Sequence, residues 1–337
     1  MPFSLPDYFA AREGVRRAFA DRNGYAEKGI TPLYEDMASR RFYRVGHAVL
    51  MDSLPDDHPH ATLGHRLSDF IRLAISLRKK GVHAPEIYAA DETNGLILME
   101  DLGDAAIDEP YLDKAVDVLI RLREGFSVNE CRLPDYFSSH IHERHDRVIH
   151  WYAPCIRQSS NPDGWLEEYG ELWREIEKSL PNPLMGFLHA DYARHNLRLI
   201  HDECAVLDFQ GAHWGPLAYD LINLLEDGRI VTPPDIKQAL YRRYVSGLPA
   251  GDREAFDLWY ALLSTQFHLR LSGQFIKLAL HGGKPRYLDY LPLIQSYLQA
   301  ELKHPLLKPL AEWFDVRGIG FEGPVHPDRA FIRPDAL

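Results

Sequence analysis

The chain reads as an α+β protein, with a small antiparallel-sheet lobe over about residues 1–100 and a larger, mainly helical lobe over residues 101–337. Three observations predict this. Short runs of β-branched and aromatic residues, the signature of strands, crowd into residues 30–52 and 85–100. After residue 104 the apolar residues recur mostly at helical spacing. Only residues 184–209 interrupt that regime, with the short apolar pieces LMGFLHA, LRLI and CAVLDF.

The elements follow in order. Tyr8, Phe9, Val15 and Phe19 predict a helix over 7–22, ended by Asn23-Gly24. ITPLY, RFYRV and AVLMD predict strands, with Gly46-His47 as a hairpin turn. SLPDDHPHATLGH is a polar loop. Leu67, Phe70, Ile71, Ala74 and Leu77 share one face of a helix over 66–80, which Gly81 ends. PEIYAA and GLILME predict two more strands joined by a turn at Asp91–Gly95. Helices are expected at about 109–125, 134–153, 163–179, 217–227, 234–247, 251–280 and 287–303, and a Pro- and Gly-rich coil over 318–337. The junction between lobes is placed at about residues 99–104.

Composition excludes several classes of function. With 45% hydrophobic residues over 337 positions the chain has ample material for a core. A formal net charge of −11 argues against a nucleic-acid partner and against an anionic membrane surface. Cys131, Cys155 and Cys204 are widely spaced, without a zinc pattern or a disulfide framework. No run reaches the length of a membrane span. The N-terminal stretch lacks the apolar centre of a secretory signal. The expectation is a cytoplasmic protein, monomeric, acting on a small molecule.

The chemistry concentrates in FLHADYARHNLRLIHDECAVLDFQGAHWGPLAYDL. Asp191 follows one apolar run, Asn196 opens a second five residues later, and Asp208 closes a third. Two carboxylates and a carboxamide are thereby brought toward one place. Phosphoryl transfer needs such a set: one carboxylate to orient a hydroxyl and accept its proton, and hard oxygen ligands to hold Mg²⁺ against phosphates. Asp191 suits the first role, Asn196 and Asp208 the second. His189 suits a brace for the loop. The spacing H-x-D-x-x-x-x-N, with an apolar run ending in Asp twelve residues on, is the catalytic-loop and metal-Asp pattern of protein-kinase-like enzymes.

Four blocks carry a family resemblance: SRRFYRV with AVLMDSLP, LILMEDLGD, LHADYARHN with VLDFQGAHWGPLAYDL, and HGGKPRYLDYLP. Together they span about residues 36 to 292. The chain resembles the aminoglycoside-phosphotransferase and choline-kinase superfamily, and within it the bacterial anomeric kinases of N-acetylmuramate and N-acetylglucosamine. That resemblance implies a bilobal protein-kinase-like fold, ATP with Mg²⁺ at the segment 99–104, and a sugar as acceptor.

The nucleotide half departs from the usual pattern. The expected glycine-rich loop reads EDMASRRFYR, without glycine, leaving Ser39 and backbone N–H groups as phosphate donors. Met51 stands where a strand lysine is expected. Arg40, Arg41 or Arg44 can supply the charge instead, and Arg41 is taken with Ser39 as a cofactor contact. Asp69 is the nearest acid on the following helix. Backbone groups of Glu100 and Leu102 are the expected adenine partners, beside Met99.

On the acceptor side, Arg194 either offsets phosphoryl charge, which makes it a catalytic candidate, or pairs with a carboxylate to hold the loop. His195, Gln210, Trp214 and Glu143 are the expected substrate contacts, Trp214 as a face for a sugar ring. Gln266, His268 and Arg270 are polar positions in an otherwise apolar helix. Two further readings stay open: a kinase of aminoglycosides or of small alcohols such as choline or homoserine, and a nucleotide-binding pseudokinase scaffold, which the missing lysine favours and the intact triad opposes.

Overall fold

The computed structural model describes residues 4–35, 40–61 and 66–333. Its contacts divide the chain into two compact units, Met1–Phe126 with His189–Ala212, and Ser127–Leu188 with His213–Leu337. A five-stranded antiparallel sheet and a mostly helical remainder make the α+β class expected from the sequence.

In the first unit, α1 (Leu5–Ala10) and α2 (Glu13–Ala20) replace the single helix expected over 7–22. The break lies at Arg12, which leaves helical geometry (φ −99°, ψ 9°). Its guanidinium turns to Asp52, where Arg16 of α2 also arrives. The strands are β1 (Ile30–Glu35), β2 (Arg40–Val45), β3 (Ala48–Ser53), β4 (Ile87–Asp91) and β5 (Leu96–Glu100), in the order β1-β2-β3-β5-β4. Gly46, at φ +63°, makes the tight β2–β3 turn that pairs Val45 with Ala48.

Every residue of β3 is buried, so its two faces serve two neighbours. Ala48 and Leu50 join Val45, Leu96 and Leu98 in a core closed by Phe19, Ala20 and Tyr25. Asp52 lies on that same face with no exposure, bonded to Arg12 Nε at 2.8 Å and Arg16 Nη1 at 2.9 Å. Burial pushes its carboxyl upward and the two guanidiniums draw it back, leaving it above the usual carboxylate value. Val49 and Met51 point the other way.

Helix α3 (Leu67–Lys79) buries Phe70, Leu73, Ala74 and Leu77. Asp56, eleven residues upstream, accepts the first free N–H groups, from Leu67 at 2.6 Å and Ser68 at 3.3 Å. After α4 (Leu112–Gly125), the chain leaves this unit and returns as the hairpin β7 (Leu197–Ile200) and β8 (Glu203–Val206). Val206 N–H donates to His83 C=O and Leu199 N–H to Ala105 C=O, which docks the hairpin beside the sheet-bearing segment.

The second unit carries α5 (Val128–Cys131), α6 (His140–Glu143), α7 (Ala153–Arg157), α8 (Trp165–Lys178), α9 (Ala218–Leu225), α10 (Pro234–Val245), α11 (Arg253–Leu280), α12 (Leu291–Glu301) and α13 (Lys308–Val316). Its two strands, β6 (Met185–Leu188) and β9 (His213–Pro216), pair antiparallel. The continuous helix expected over 134–153 is broken into α6, a 3-10 turn and a π turn over Val148–Tyr152. That segment packs on α11 at Gly273, where a Cβ would stand 2.0 Å from Arg147 C=O. Four elements went unforeseen: β9, within GAHWGP, and the helices α5, α7 and α13. Among the described residues no helix is long and apolar enough to cross a membrane.

Two buried histidines in this unit have opposite electrostatic surroundings. His145 contacts Tyr169 Oη at 3.2 Å and packs on Trp173, and burial pushes it down to about 3. His268 meets Glu301 Oε1 at 2.8 Å and Glu226 C=O at 3.1 Å, with its ring stacked on Tyr297. Burial alone lowers it, but Glu301 and Glu226 outweigh burial and leave it above its ordinary 6.5.

Two outcomes follow. Asp52→Ala strands Arg16 without its counter-charge and should lower stability in urea denaturation by about 3–5 kcal/mol. Replacing Asp52, Arg12 and Arg16 together by apolar residues should recover most of that loss. For His268, a raised folded value means that its stabilisation is complete below its ordinary pKa of 6.5 and fades as pH rises through the folded value. The Tm advantage of the wild type over His268→Asn should therefore shrink as pH rises above 6.5 and through the raised folded value. A constant difference across that range would show that His268 does not titrate there.

Candidate active site

The segment His189–Ala212 belongs to the first unit, and hydrogen bonds hold it in shape. His189, 1% exposed, donates from Nε2 to Leu207 C=O at 2.7 Å, while its Nδ1 accepts Asp191 N–H at 3.4 Å. The two bonds assign the proton to Nε2. His189 is thus a brace. Ala190 sits in left-handed backbone (φ +68°), so the chain turns sharply before Asp191. Asn196, in the 3-10 turn Arg194–Asn196, donates from Nδ2 to both Asp191 C=O and Asp191 Oδ2 at 2.9 Å. This clasp fixes one carboxylate oxygen of Asp191 and turns the Asn196 Oδ1 away from it.

Leu207 N–H donates to Asn196 C=O at 2.8 Å and so ties the end of β8 to the same turn. Asp208 follows in left-handed backbone (φ 57°, ψ 33°), a conformation that aspartate tolerates better than most residues. Phe209 is buried beyond it and stacks on Phe70 of α3 at 4.8 Å. That contact anchors the turn against the helix and leaves Asp208 exposed.

Asp191, Asn196, Leu207 and Asp208 line a cavity of about 540 Å³. Arg40, Phe42 and Arg44 of β2, Val49 of β3 and Phe70 of α3 line one side of it. The segment Met99–Asp104 lines another, and Asp191, His195, Asn196, Asp208 and Gln210 contribute further lining. Met99, Glu100 and Leu102 therefore share a cavity with the three residues of the motif. The Glu100 carboxylate is occupied by Arg78 at 3.2 Å, His83 at 3.2 Å and Glu86 N–H at 3.1 Å, and the Glu100 N–H donates to Glu86 C=O at 2.9 Å. Arg44 Nε donates to Asp101 Oδ2 at 2.5 Å and Gly103 N–H to Asp101 Oδ1 at 2.9 Å. Burial pushes Asp101 up, but these donors prevail and hold its carboxyl below the usual range.

Other expected residues lie elsewhere. Arg41 is on the opposite face of β2, over the Phe9 ring, because strand side chains alternate. Ser39 lies outside the described residues. Arg194 is buried and absent from the cavity lining, whereas His195 is exposed with Nε2 3.9 Å from Asp191 Oδ2. Asp69 pairs with Arg72 at 2.8 Å. Trp214, half-buried in β9, and Glu143, exposed at the end of α6, belong to the second unit. There Gln266 bonds Glu177, and His268 is fully buried. Arg198 was missed: it lines the cavity and donates to the carbonyls of Gly103, His195 and Leu197. Its place as the one cation in the apolar run LRLI was the available signal.

The donor set fits a hard divalent cation. Asn196 Oδ1 and the Asp208 carboxylate are oxygen ligands of the kind Mg²⁺ selects, with no thiolate or imidazole among them. Gln210, 5% exposed, donates from Nε2 to Asp208 Oδ1, and its own Oε1 is buried without a hydrogen-bond partner. An unsatisfied oxygen beside an exposed carboxylate is the polar surplus that a hydrated cation relieves.

Known proteins share these features. The profile of the phosphotransferase enzyme family, APH, matches residues 29–261. The N-acetylmuramate/N-acetylglucosamine kinase of Caulobacter vibrioides is 30% identical, covering 90% of this chain and 96% of that protein. The enzyme of the same name from Pseudomonas aeruginosa is 28% identical, covering 84% and 87%. In three dimensions the chain is similar to a choline/ethanolamine kinase family protein from Mesorhizobium loti, at a TM-score of 0.57 and 15% identity, covering 94% of this chain and 100% of that one. The last likeness speaks to fold alone. With a family profile spanning most of its length and the catalytic-loop spacing intact at Asp191, Asn196 and Asp208, the chain belongs to the APH phosphotransferase family and is a kinase of protein-kinase-like fold.

Proposed function

We propose that this kinase transfers the γ-phosphoryl group of ATP to the anomeric hydroxyl of N-acetylmuramate or N-acetylglucosamine, in the cytoplasm. The observation that carries the chemistry is the clasp of Asn196 on Asp191 in one cavity with Asp208 and the segment Met99–Leu102. The names of the Caulobacter and Pseudomonas relatives support the acceptor.

The residues divide the labour as follows. The C=O of Glu100 and the N–H of Leu102 receive adenine beside Met99, at a hinge over residues 99–104. With one oxygen held by Asn196, Asp191 presents the other to the sugar hydroxyl and takes its proton. The sugar oxygen forms its bond to the γ-phosphorus as the bond to the β–γ bridging oxygen breaks, and ADP leaves with that electron pair. Asp191, half-exposed, returns its proton to water. Asn196 and Asp208 are the residues that would hold Mg²⁺, which when bound neutralises phosphate charge. Arg194, being buried, supports the turn that carries Asn196. His195, at the cavity surface, is the residue placed to meet the reactants.

A coupled assay of ADP release over N-acetylmuramate, N-acetylglucosamine, choline, homoserine and aminoglycosides tests the reading. Turnover is expected on one or both amino sugars, with loss of their reducing-end reactivity as the anomeric oxygen is phosphorylated. Turnover confined to choline, homoserine or an aminoglycoside would overturn the sugar assignment while keeping the kinase. Asp191→Asn should lower kcat by about 10²–10⁴-fold and leave nucleotide affinity nearly unchanged. A variant that kept its kcat would remove Asp191 from the proton transfer.

A further inference from the structure

Kinases of this general design contact the ATP phosphates with a lysine on the third strand, held by an acid on the next helix. Among the described residues β3 carries no lysine, and the acid on α3 is already paired. Met51 of β3 occupies the lysine's place and is fully buried. Asp69 of α3 is engaged with Arg72. A lysine at 51 would lack that acidic partner at a position without solvent.

The β2–β3 register shows where a cation can enter instead. Phe42 lies directly opposite Met51, with Arg44 opposite Val49 and Arg40 opposite Ser53. Alternation puts Arg40 and Arg44 on the face that Met51 and Val49 share. Each is therefore a diagonal neighbour of Met51, about 7–8 Å away at Cα in ordinary sheet geometry, within reach of a long side chain. The two arginines serve opposite ends of the strand. Arg44 is received by Asp101 and Asp104 at the Met99–Asp104 segment. Arg40 is at the other end, beyond Phe42, and its side chain is 3% exposed while lining the cavity.

We infer that Arg40 is the phosphate-binding cation of this site, supplying from β2 the charge that a β3 lysine would otherwise bring to the diphosphate portion of the nucleotide. The inference rests on the reading that the cavity takes ATP. A guanidinium suits the task, because its planar fork meets two phosphate oxygens at once and stays charged when buried. With Arg40 in that role, the apolar Met51 is the natural companion, since a second buried cation beside it would be repelled.

Equilibrium binding of ATP, ADP and adenosine to the wild type, Arg40→Gln, Arg40→Lys and the double variant Arg40→Gln/Met51→Lys tests this. Arg40→Gln should weaken ATP and ADP by roughly 10- to 100-fold, the effect of losing charge-assisted bonds. Adenosine should bind as before. Arg40→Lys should retain part of the affinity, and the lysine at 51 should restore part of it to Arg40→Gln. The assignment is overturned if Arg40→Gln binds ATP like the wild type, or if adenosine loses as much as ATP does. A wild type that binds neither nucleotide overturns the nucleotide reading itself, and this assignment with it.

Discussion

The complete burial of β3 is the constraint from which the first unit's organisation follows. A strand covered on both faces must assign its alternate residues to two different environments. Ala48, Leu50 and Asp52 go to the side of α1 and α2, and Val49 and Met51 to the side of the cavity. The same alternation, passed across the β2–β3 register, sends Arg41 to the Phe9 ring and Arg40 to the cavity. Asp52 makes this commitment hard to reverse. A one-residue slip would carry a carboxylate bonded to two arginines into the cavity and put methionine between the guanidiniums.

The segment His189–Ala212 is held by contacts of a different kind. Its charged residues are placed by backbone bonds more than by packing. His189 spans from Asp191 N–H to Leu207 C=O, and Asn196 from Asp191 to the end of β8. Left-handed backbone at Ala190 and Asp208 lets both carboxylates stand out from buried neighbours. Such positions persist only where the surroundings over-determine them, and here His189, Asn196 and the Phe70–Phe209 stack do so.

The grouping of these residues was legible beforehand because it depends on short-range spacing. Asp191, Asn196 and Asp208 are separated by intervals that the chain itself enforces, and the flanking apolar runs marked the strands that hold them. What escaped depended on contacts remote in sequence. The alternation of RRFYRV separates Arg40 from Arg41, but only the packing of α1 and α2 decides which face meets the cavity. GAHWGP has no strand signature of its own; β9 forms because β6 offers it a partner, with Gly215 admitting Leu188 and Tyr136 at close range. The break in the helix expected over 134–153 lies in the close approach of Arg147 to Gly273, more than a hundred residues downstream.

The first unit is discontinuous in sequence, since its segment His189–Ala212 returns only after the excursion Ser127–Leu188. This has a consequence for synthesis. As the chain emerges from a ribosome, the five-stranded sheet is available well before the segment that carries Asp191 and Asp208. At about 5–20 residues per second the delay is roughly 5–20 s. Until then His83 C=O and Ala105 C=O lack the partners that β8 and β7 bring them. The nascent protein thus carries all five strands of the sheet before Asp191 and Asp208 join them, so any transfer that depends on those two residues waits for the chain to return.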